Sequence, residues 1–517
     1  MSSSPQRPAD QPGDRHLVVD AKAAWAALWA LCLGFFMILV DSTIVSVATP
    51  EIMRRLDTDV NGVVWVTSAY LLAYAVPLLI TGRLGDRFGP KRLYLTGLSI
   101  FTLASLWCGL TGDIRSLVIA RVVQGLGAAI MTPQTMAIIT RIFPAEARGR
   151  AMGAWGAVAG VATLVGPIVG GVLVDHLGWE WIFFVNIPVG LLGLALAARL
   201  VPALPTQRHG FDWLGVALSA IGMTGLVFGI QEGQRYDWGH LWGPLFVPGL
   251  IALGAASLVL FVVWQWRIRA EALMPLGLFR DRNFSLANLA IVTVGFTITA
   301  MSFPVMLWAQ AVRGWSPTQS ALLMVPMAVI SAGLAPWVGR MADRRHPSLL
   351  AGIGLTSFAV SLVWLGRIMR PESPVWQLLL PFALLGIANG FMWSPISSTA
   401  TRNLPLSRAG AGSGVYNTLR QVGAVLGSAS IAALMDSRLA ARLGDAAVAG
   451  GGGVAGLGGG SGTGMPAAVA QGFSKAMGES LLLPAAVIVL GLLAALFFRR
   501  PGTQTARHRP QDDAAPQ

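Results

Sequence analysis

Gly82-Arg83-Leu84-Gly85-Asp86-Arg87-Phe88-Gly89-Pro90-Lys91-Arg92 sets five charges and three glycines between two strongly apolar runs, 62–81 and 93–111. Its opening recurs far along the chain as Gly339-Arg340-Met341-Ala342-Asp343-Arg344, with the first glycine, the aspartate and both arginines at the same spacing. Outward from these copies, Thr140-Arg141-x-x-Pro144 is answered by Thr401-Arg402-x-x-Pro405, and Gly149 and Gly153 by Gly410 and Gly414. The registers of the two sets differ by one short insertion. A charged hinge between apolar spans, used twice with its neighbours, marks a duplicated chain.

Of the 517 residues, 54% are hydrophobic and only 12% are charged. A soluble chain carries about 25% charged residues, so this one cannot coat a globular surface of its size. Apolar runs of about 20 residues with hardly a charge read as transmembrane helices, and roughly fourteen can be drawn here. The expected fold class is an all-α polytopic membrane protein. Two pseudo-symmetric six-helix bundles occupy 25–201 and 283–499, with two inserted helices and their linkers in 202–282 and cytoplasmic tails at 1–24 and 500–517. Within the second bundle, 437–478 carries glycine runs at 450–453 and 458–460 and reads as a flexible outside loop.

The net charge of +13 raises the question of nucleic acid. With the N-terminus placed in the cytoplasm, most Lys and Arg fall in cytoplasmic loops, which is how helices are oriented during insertion. The basicity is therefore topology, and a nucleic-acid partner is excluded. Cys32 and Cys108 fall inside expected spans and offer neither a disulfide framework nor metal spacing. No Gly-x-x-x-x-Gly-Lys-Ser/Thr loop is present, which argues against ATP-driven chemistry. The first twenty residues lack a signal-peptide core, so the first span is expected to stay in the mature chain. No enzymatic constellation, cofactor or metal is expected.

Asp41 is the acidic residue placed well inside a span. A carboxylate in hydrocarbon costs several kcal/mol unless it is paired, protonated or facing water, and such residues commonly mark ion or proton pathways. It lies about 10 Å from one end of its span and Arg121 about 9 Å from the corresponding end of another, at 1.5 Å per residue. Opposite charges at matched depth can pair, and proton binding to Asp41 would break the pair; a fixed structural salt bridge is the plainer alternative. Gln124 is one turn from Arg121, and Arg420 sits mid-span beside Asn417. Either group can line a polar cavity, or Arg420 can simply brace its helix. Trp65, Tyr70, Trp155 and Trp393 are candidate walls for an apolar cargo, although aromatic residues in spans more often pack helices.

The hinge itself has a mechanical reading. Gly82 and Gly89 allow tight turns and close approach, and Asp86 can cap a neighbouring helix N-terminus, where free N–H groups favour an anion. Arg87 and Lys91 can bridge to loop acids or headgroups, although orientation alone accounts for most basic residues here. Orientation does not account for the second copy at Gly339, Asp343 and Arg344. In Gly166-Pro167-x-x-Gly170-Gly171 the proline can kink a helix and the glycines permit close helix contact.

Taken together these motifs resemble the major facilitator superfamily. Gly82–Arg92 is similar to its loop 2–3 motif, with Gly85 where alanine is usual and Pro90 where a basic residue is usual. Arg121-x-x-Gln124-Gly125-x-Gly127 resembles its helix-4 motif, and Gly166-Pro167-x-x-Gly170-Gly171 the helix-5 motif of antiporters. Asp41-Ser42-Thr43-Ile44-Val45-x-Val47-Ala48-x-Pro50 is similar to the helix-1 signature of the fourteen-helix drug:proton antiporters, the EmrB/QacA type. Trp179–Pro188 and Phe211–Gly215 also look like that group, with Glu180 where arginine is usual. The resemblance implies alternating access and export of amphipathic small molecules in exchange for protons across a bacterial cytoplasmic (inner) membrane. It implies proton coupling at Asp41 and Arg121 and gating at Gly82, Asp86 and Arg87. Membrane lipid is an expected partner, and the reading leaves room for a periplasmic adaptor. A dedicated exporter of a metabolite, antibiotic or siderophore is the alternative; a proton symporter or a non-transporting sensor fits less well.

Overall fold

The computed structural model describes residues 20–499 apart from 59, 145–146, 207–211, 234–235, 237, 243–244, 269–271, 343, 405–407 and 444–465. The first half contains α1 (Ala21–Arg55), α2 (Val60–Ala75), α3 (Leu78–Phe88), α4 (Pro90–Leu110), α5 (Ile114–Ile142), α6 (Arg148–Leu177), α7 (Trp181–Phe184) and α8 (Asn186–Leu200). Next come α9 (Trp213–Glu232) and α10 (Val247–Arg267). The second half contains α11 (Arg282–Ala311), α12 (Pro317–Leu322), α13 (Val325–Ala342), α14 (Pro347–Ile368), α15 (Val375–Arg402), α16 (Ala409–Leu443), α17 (Ala467–Ser480) and α18 (Leu482–Leu496). Helix is the form available to such apolar sequence in lipid, because each segment then satisfies its own backbone donors and acceptors.

Among the described residues, 11 helices are long and apolar enough to cross a membrane, or up to 12 when the bent pair α2–α3 counts as one span. The chain is an integral membrane protein. Its lipid-facing positions show in exposed apolar side chains such as Leu103, Leu191, Val259, Trp266, Val329 and Leu490.

Several spans that read as continuous in the sequence are broken. α2 and α3 meet at 47°, with Pro77 as the residue before α3. α7 and α8 part at Val185 and α12 and α13 at Leu323-Met324; α17, which lies in the stretch read as a loop, parts from α18 in the same way at Leu481. Each of these second pieces carries a proline in its first turn, at Pro188, Pro326 and Pro484. A proline there lacks the N–H that would bond back across the break, and its ring crowds the carbonyl four residues earlier.

The loop expected over 437–478 is corrected at both ends. α16 runs to Leu443 and α17 begins at Ala467; residues 444–465 lie outside the described residues. Hydropathy ends a span at its first charges, whereas backbone hydrogen bonding carries the helix on. Here Arg438 and Arg442 of α16 both pair with Glu479 of α17, the former at 3.4 Å. The all-α expectation takes one small amendment: His240–Trp242 (β1) and Leu245–Phe246 (β2) pair antiparallel between α9 and α10.

The duplication is visible in the packing. In the first half α1 packs on α6, α4 on α5, and α8 closes against α1 and α4. In the second half α11 packs on α16, α14 on α15, and α18 closes against α11 and α14.

The inserted helices form a tight hairpin outside this pair of bundles. A Cβ on Gly225 would stand 2.9 Å from the Leu250 carbonyl oxygen, and one on Gly254 2.6 Å from the Leu226 nitrogen. Asp212 ties the hairpin at one end. Its Oδ1 accepts from the Gly215 N–H and from Trp264 Nε1, each at 2.8 Å, and its Oδ2 accepts from Gln265 Nε2 at 2.6 Å. The hairpin also lies along the seam between the halves. Phe228 of α9 meets Trp65 of α2 at 5.5 Å between ring centroids, while Val216 and Leu218 join a cluster with Leu79, Ile80, Val415 and Leu419.

Gly254→Leu therefore forces α9 away from α10 or strains both, at a cost of about 1–3 kcal/mol. Thermal unfolding of the purified protein should show a lower midpoint for this variant, and an unchanged one for the lipid-facing control Leu260→Ala.

Candidate functional site

Two buried polar clusters lie at opposite ends of the first half. The first is built on Asp41 of α1 and Arg121 of α5, both wholly inaccessible to solvent. Arg121 Nη1 donates to Asp41 Oδ2 at 2.5 Å. Asp41 Oδ1 accepts from Gln124 Nε2 at 2.8 Å and from Asn186 Nδ2 at 3.1 Å. Three donors on one carboxylate suit its ionised, acceptor-only form. Gln124 also accepts from Arg121 Nη1 at 2.7 Å and donates to Ser105 Oγ at 2.8 Å. The guanidinium is fixed further by its Nε, which donates to the Val66 carbonyl at 3.1 Å, and by the Tyr70 ring, 4.0 Å from Cζ. Its Nη2 has no hydrogen-bond partner among the described residues.

α6 presses on α1 beside this pair. A Cβ on Gly170 would come 2.7 Å from Ile44 Cγ1, and one on Gly166 would collide with the Thr43 hydroxyl. These glycines bring α6 against the turn that presents Asp41, and Pro167 lies within α6 between them. Gly171, on the neighbouring face of α6, meets the second half instead, with the Thr318 hydroxyl of α12 3.0 Å from the position of a Cβ.

The second cluster is built on Asp86, near the end of α3. Arg141 Nη2 donates to its Oδ1 at 2.6 Å. The backbone N–H of Gly410 reaches the same oxygen at 3.0 Å, and that of Ala411 reaches Oδ2 at 2.9 Å. Gly410 and Ala411 are in the first turn of α16, so Asp86 caps a helix of the other half, where unpaired N–H groups and the helix dipole favour an anion. The backbones approach closely: a Cβ on Gly82 would lie 2.6 Å from the Gly410 carbonyl oxygen and 2.8 Å from Gly414 Cα.

The duplicated copy makes the mirror contact. A Cβ on Gly339 of α13 would sit 3.1 Å from the Gly149 carbonyl oxygen, and one on Gly153 of α6 3.0 Å from Gly339 Cα. Arg148 Nη1 crosses the same seam to the Thr401 carbonyl at 3.0 Å. Asp343 lies outside the described residues, and Arg344 is exposed. Two joints related by the duplication thus hold the halves together, α3 on α16 and α13 on α6.

Around the first joint, Gly89 has φ +96° and links α3 to α4, a conformation that glycine adopts without strain. Lys91 Nζ donates to the Ala198 carbonyl near the end of α8 at 2.8 Å. The Arg87 guanidinium lies over the Phe88 ring at 5.3 Å. At Gly85 a Cβ would collide with the Gln134 side chain, which donates to the Thr81 carbonyl at 2.7 Å. The departure from alanine at this position has that local reason.

The aromatic candidates separate. Trp65 meets the inserted hairpin, and Tyr70 is buried beneath Arg121. Trp155 stacks on Phe35 at 4.6 Å, and its indole N–H has no partner among the described residues. Trp393 of α15 donates to Asn389 at 3.2 Å and faces Gly156 of α6 across the seam. Asn417 Nδ2 donates to the Ser413 carbonyl at 2.9 Å, and Arg420 Nη2 reaches the Tyr74 hydroxyl at 3.5 Å. Asn186, Ser105 and Arg141 are members of the clusters that residue-by-residue reading of the sequence did not single out as site residues. Asn186 and Arg141 stand in motifs that could have flagged them, Trp179–Pro188 and the repeated Thr-Arg-x-x-Pro. Among the described residues no group of three or more His, Cys, Asp or Glu side chains could hold a metal.

The family description of the Major Facilitator Superfamily matches residues 31–428. The chain is 54% identical over 473 residues to an uncharacterised MFS-type transporter, Rv1250, of Mycobacterium tuberculosis, covering 92% of this chain and 80% of the relative. It is 34% identical over 417 residues to the tetracenomycin C resistance and export protein of Streptomyces glaucescens, covering 80% of this chain and 76% of that one. Among solved structures, the proton:xylose symporter XylE matches with a TM-score of 0.59 at 14% identity, over 93% of this chain and 96% of its own. Matching in fold and across most of its length, this chain belongs to the Major Facilitator Superfamily, a family of membrane transporters.

Proposed function

We propose that the protein is a proton-coupled exporter of amphipathic small molecules, working by alternating access in a bacterial cytoplasmic membrane with both termini in the cytoplasm. In this reading α6 and α16 cross the membrane together with the other twelve spans, which gives the fourteen crossings of the drug:proton antiporters. The observation that carries it is the Asp41–Arg121 pair, wholly buried and at 2.5 Å. Removing one partner of a buried pair leaves an uncompensated charge that costs about 3–5 kcal/mol. Protonation of Asp41 does this to Arg121, so taking up a proton from outside destabilises the present packing of α1, α5 and α6. Losing it to the cytoplasm restores the pair.

The joint at Asp86 supplies the gate. It lies at the other end of the bundle, on the cytoplasmic side in this topology, and in this conformation it is closed. Opening there has to pull the N–H groups of Gly410 and Ala411 off the carboxylate and separate the glycine-packed faces of α3 and α16, with α13 and α6 yielding in parallel. A dedicated exporter of a self-made antibiotic is the second reading, supported by the likeness to the tetracenomycin C export protein; drug-susceptibility profiles with and without the gene separate it from broad export.

Asp41→Asn keeps an oxygen and a similar shape but cannot exchange a proton. Export driven by an imposed pH gradient in proteoliposomes should be abolished while the protein still inserts and purifies; full export by this variant would defeat the coupling role. Asp86→Ala leaves Arg141 buried without its carboxylate and should lower stability by about 3–5 kcal/mol. It should also open the seam: a cysteine introduced at the buried Ser413 should react faster with an impermeant maleimide in inside-out vesicles than the same cysteine in the Asp86 parent. Equal labelling rates would remove Asp86 from the gate.

A further inference from the structure

Arg420 is a cation within a helix span that the coupling scheme leaves unused. It lies about 16 Å along α16 from the start of that helix at 1.5 Å per residue, near the middle of a hydrocarbon core about 30 Å thick. It is half-buried, and among the described residues its one hydrogen-bond partner is the Tyr74 hydroxyl at a long 3.5 Å. Among the described residues no carboxylate stands within ion-pair distance of it; Arg121 and Arg141, by contrast, each hold one. A guanidinium at this depth is costly unless paired or open to water.

Its neighbours on the same helical face are also incomplete. Tyr416 and Asn417 precede Arg420 by one turn, and both are wholly buried. Among the described residues the Tyr416 hydroxyl and Asn417 Oδ1 have no hydrogen-bond partner. Buried polar atoms are nearly always partnered, so two orphans beside an unpaired cation mark a place built to receive a polar group. The place is also shared between the halves, since Tyr74 comes from α2 and the other three from α16. Tyr74 stacks on Tyr70 at 6.2 Å, and Tyr70 lies under Arg121. An unbroken series of contacts therefore runs from Asp41 to Arg420.

We propose that Arg420 and the Tyr416 hydroxyl bind the acidic group of an amphipathic cargo at the seam between the halves, with Asn417 Oδ1 accepting from an N–H or O–H beside that group. This names the cargo class for the export reading above and rests on it. An anion here compensates Arg420 as Asp41 compensates Arg121, and it touches Tyr74, the aromatic neighbour of the coupling pair. Cationic amphiphiles are disfavoured by the same charge.

Three probes on one fluorophore test this with the full-length protein in nanodiscs: dansylglycine, its methyl ester and the cation dansylcadaverine. Dansylglycine should bind about tenfold or more tightly than either of the others, the worth of one charge-assisted hydrogen bond. Arg420→Gln should remove that preference by weakening acid binding about tenfold more than ester binding, with an unchanged thermal midpoint reporting that the variant is folded, and Arg420→Lys should keep most of it. Equal binding of acid and ester to the unaltered protein, or an equal loss of both in Arg420→Gln, overturns the proposal. Proteoliposomes keep the two readings apart. Arg420-dependent binding without accompanying proton movement defeats export and leaves the site standing, whereas proton-coupled transport of dansylcadaverine in preference to dansylglycine defeats the site and leaves export standing.

Discussion

A charge buried in a membrane protein has to be answered by another charge, by hydrogen bonds or by water, and the architecture here depends on how each one is answered. Asp41 is met by Arg121, Gln124 and Asn186, contributed by α5 and α8. Asp86 is met by Arg141 and by the two leading N–H groups of α16. Asp212 is met by the first turn of α9 and the last turn of α10. In each case the carboxylate joins separate helices, so satisfying one buried anion also fixes how helices sit against each other.

The three differ in what they join. Asp212 ties a hairpin to itself and rides along the seam without crossing it. Asp41 works within one half, where the partners are side chains that can lose their grip when the carboxylate takes a proton. Asp86 bridges the halves, and two of its donors are backbone groups of a helix that belongs to the other half. A backbone donor cannot swing away as a side chain can; releasing it means moving the whole of α16. In the proposed mechanism that difference separates the place where a proton is read from the place where the reading becomes motion.

Glycine contacts serve the same division. Gly82 against Gly410 and Gly414, and Gly339 against Gly149 and Gly153, let backbones meet across the seam with no side chain between them. Such surfaces hold by close contact of flat faces and part without unthreading interlocked side chains. Gly166 and Gly170 do the equivalent within the first half, bringing α6 onto the turn of α1 that carries Asp41.

Much of this was legible from the chain alone. The recurrence of Gly82, Asp86 and Arg87 at Gly339, Asp343 and Arg344 implied two related halves, and the depth of Asp41 and Arg121 made their pairing a natural expectation, because hydrocarbon penalises an isolated charge wherever the fold places it. Local rules also foretold that Asp86 could cap a helix. Which helix it caps was decided by the tertiary structure, as was the recruitment of Asn186 and Arg141, the breaks ahead of Pro188, Pro326 and Pro484, and the seat of the inserted hairpin along the seam. Hydropathy and spacing register how deep a residue lies and how often a pattern returns. They do not register which faces meet, since that depends on the rotation of each helix about its axis, and only the packing of all the helices together fixes it.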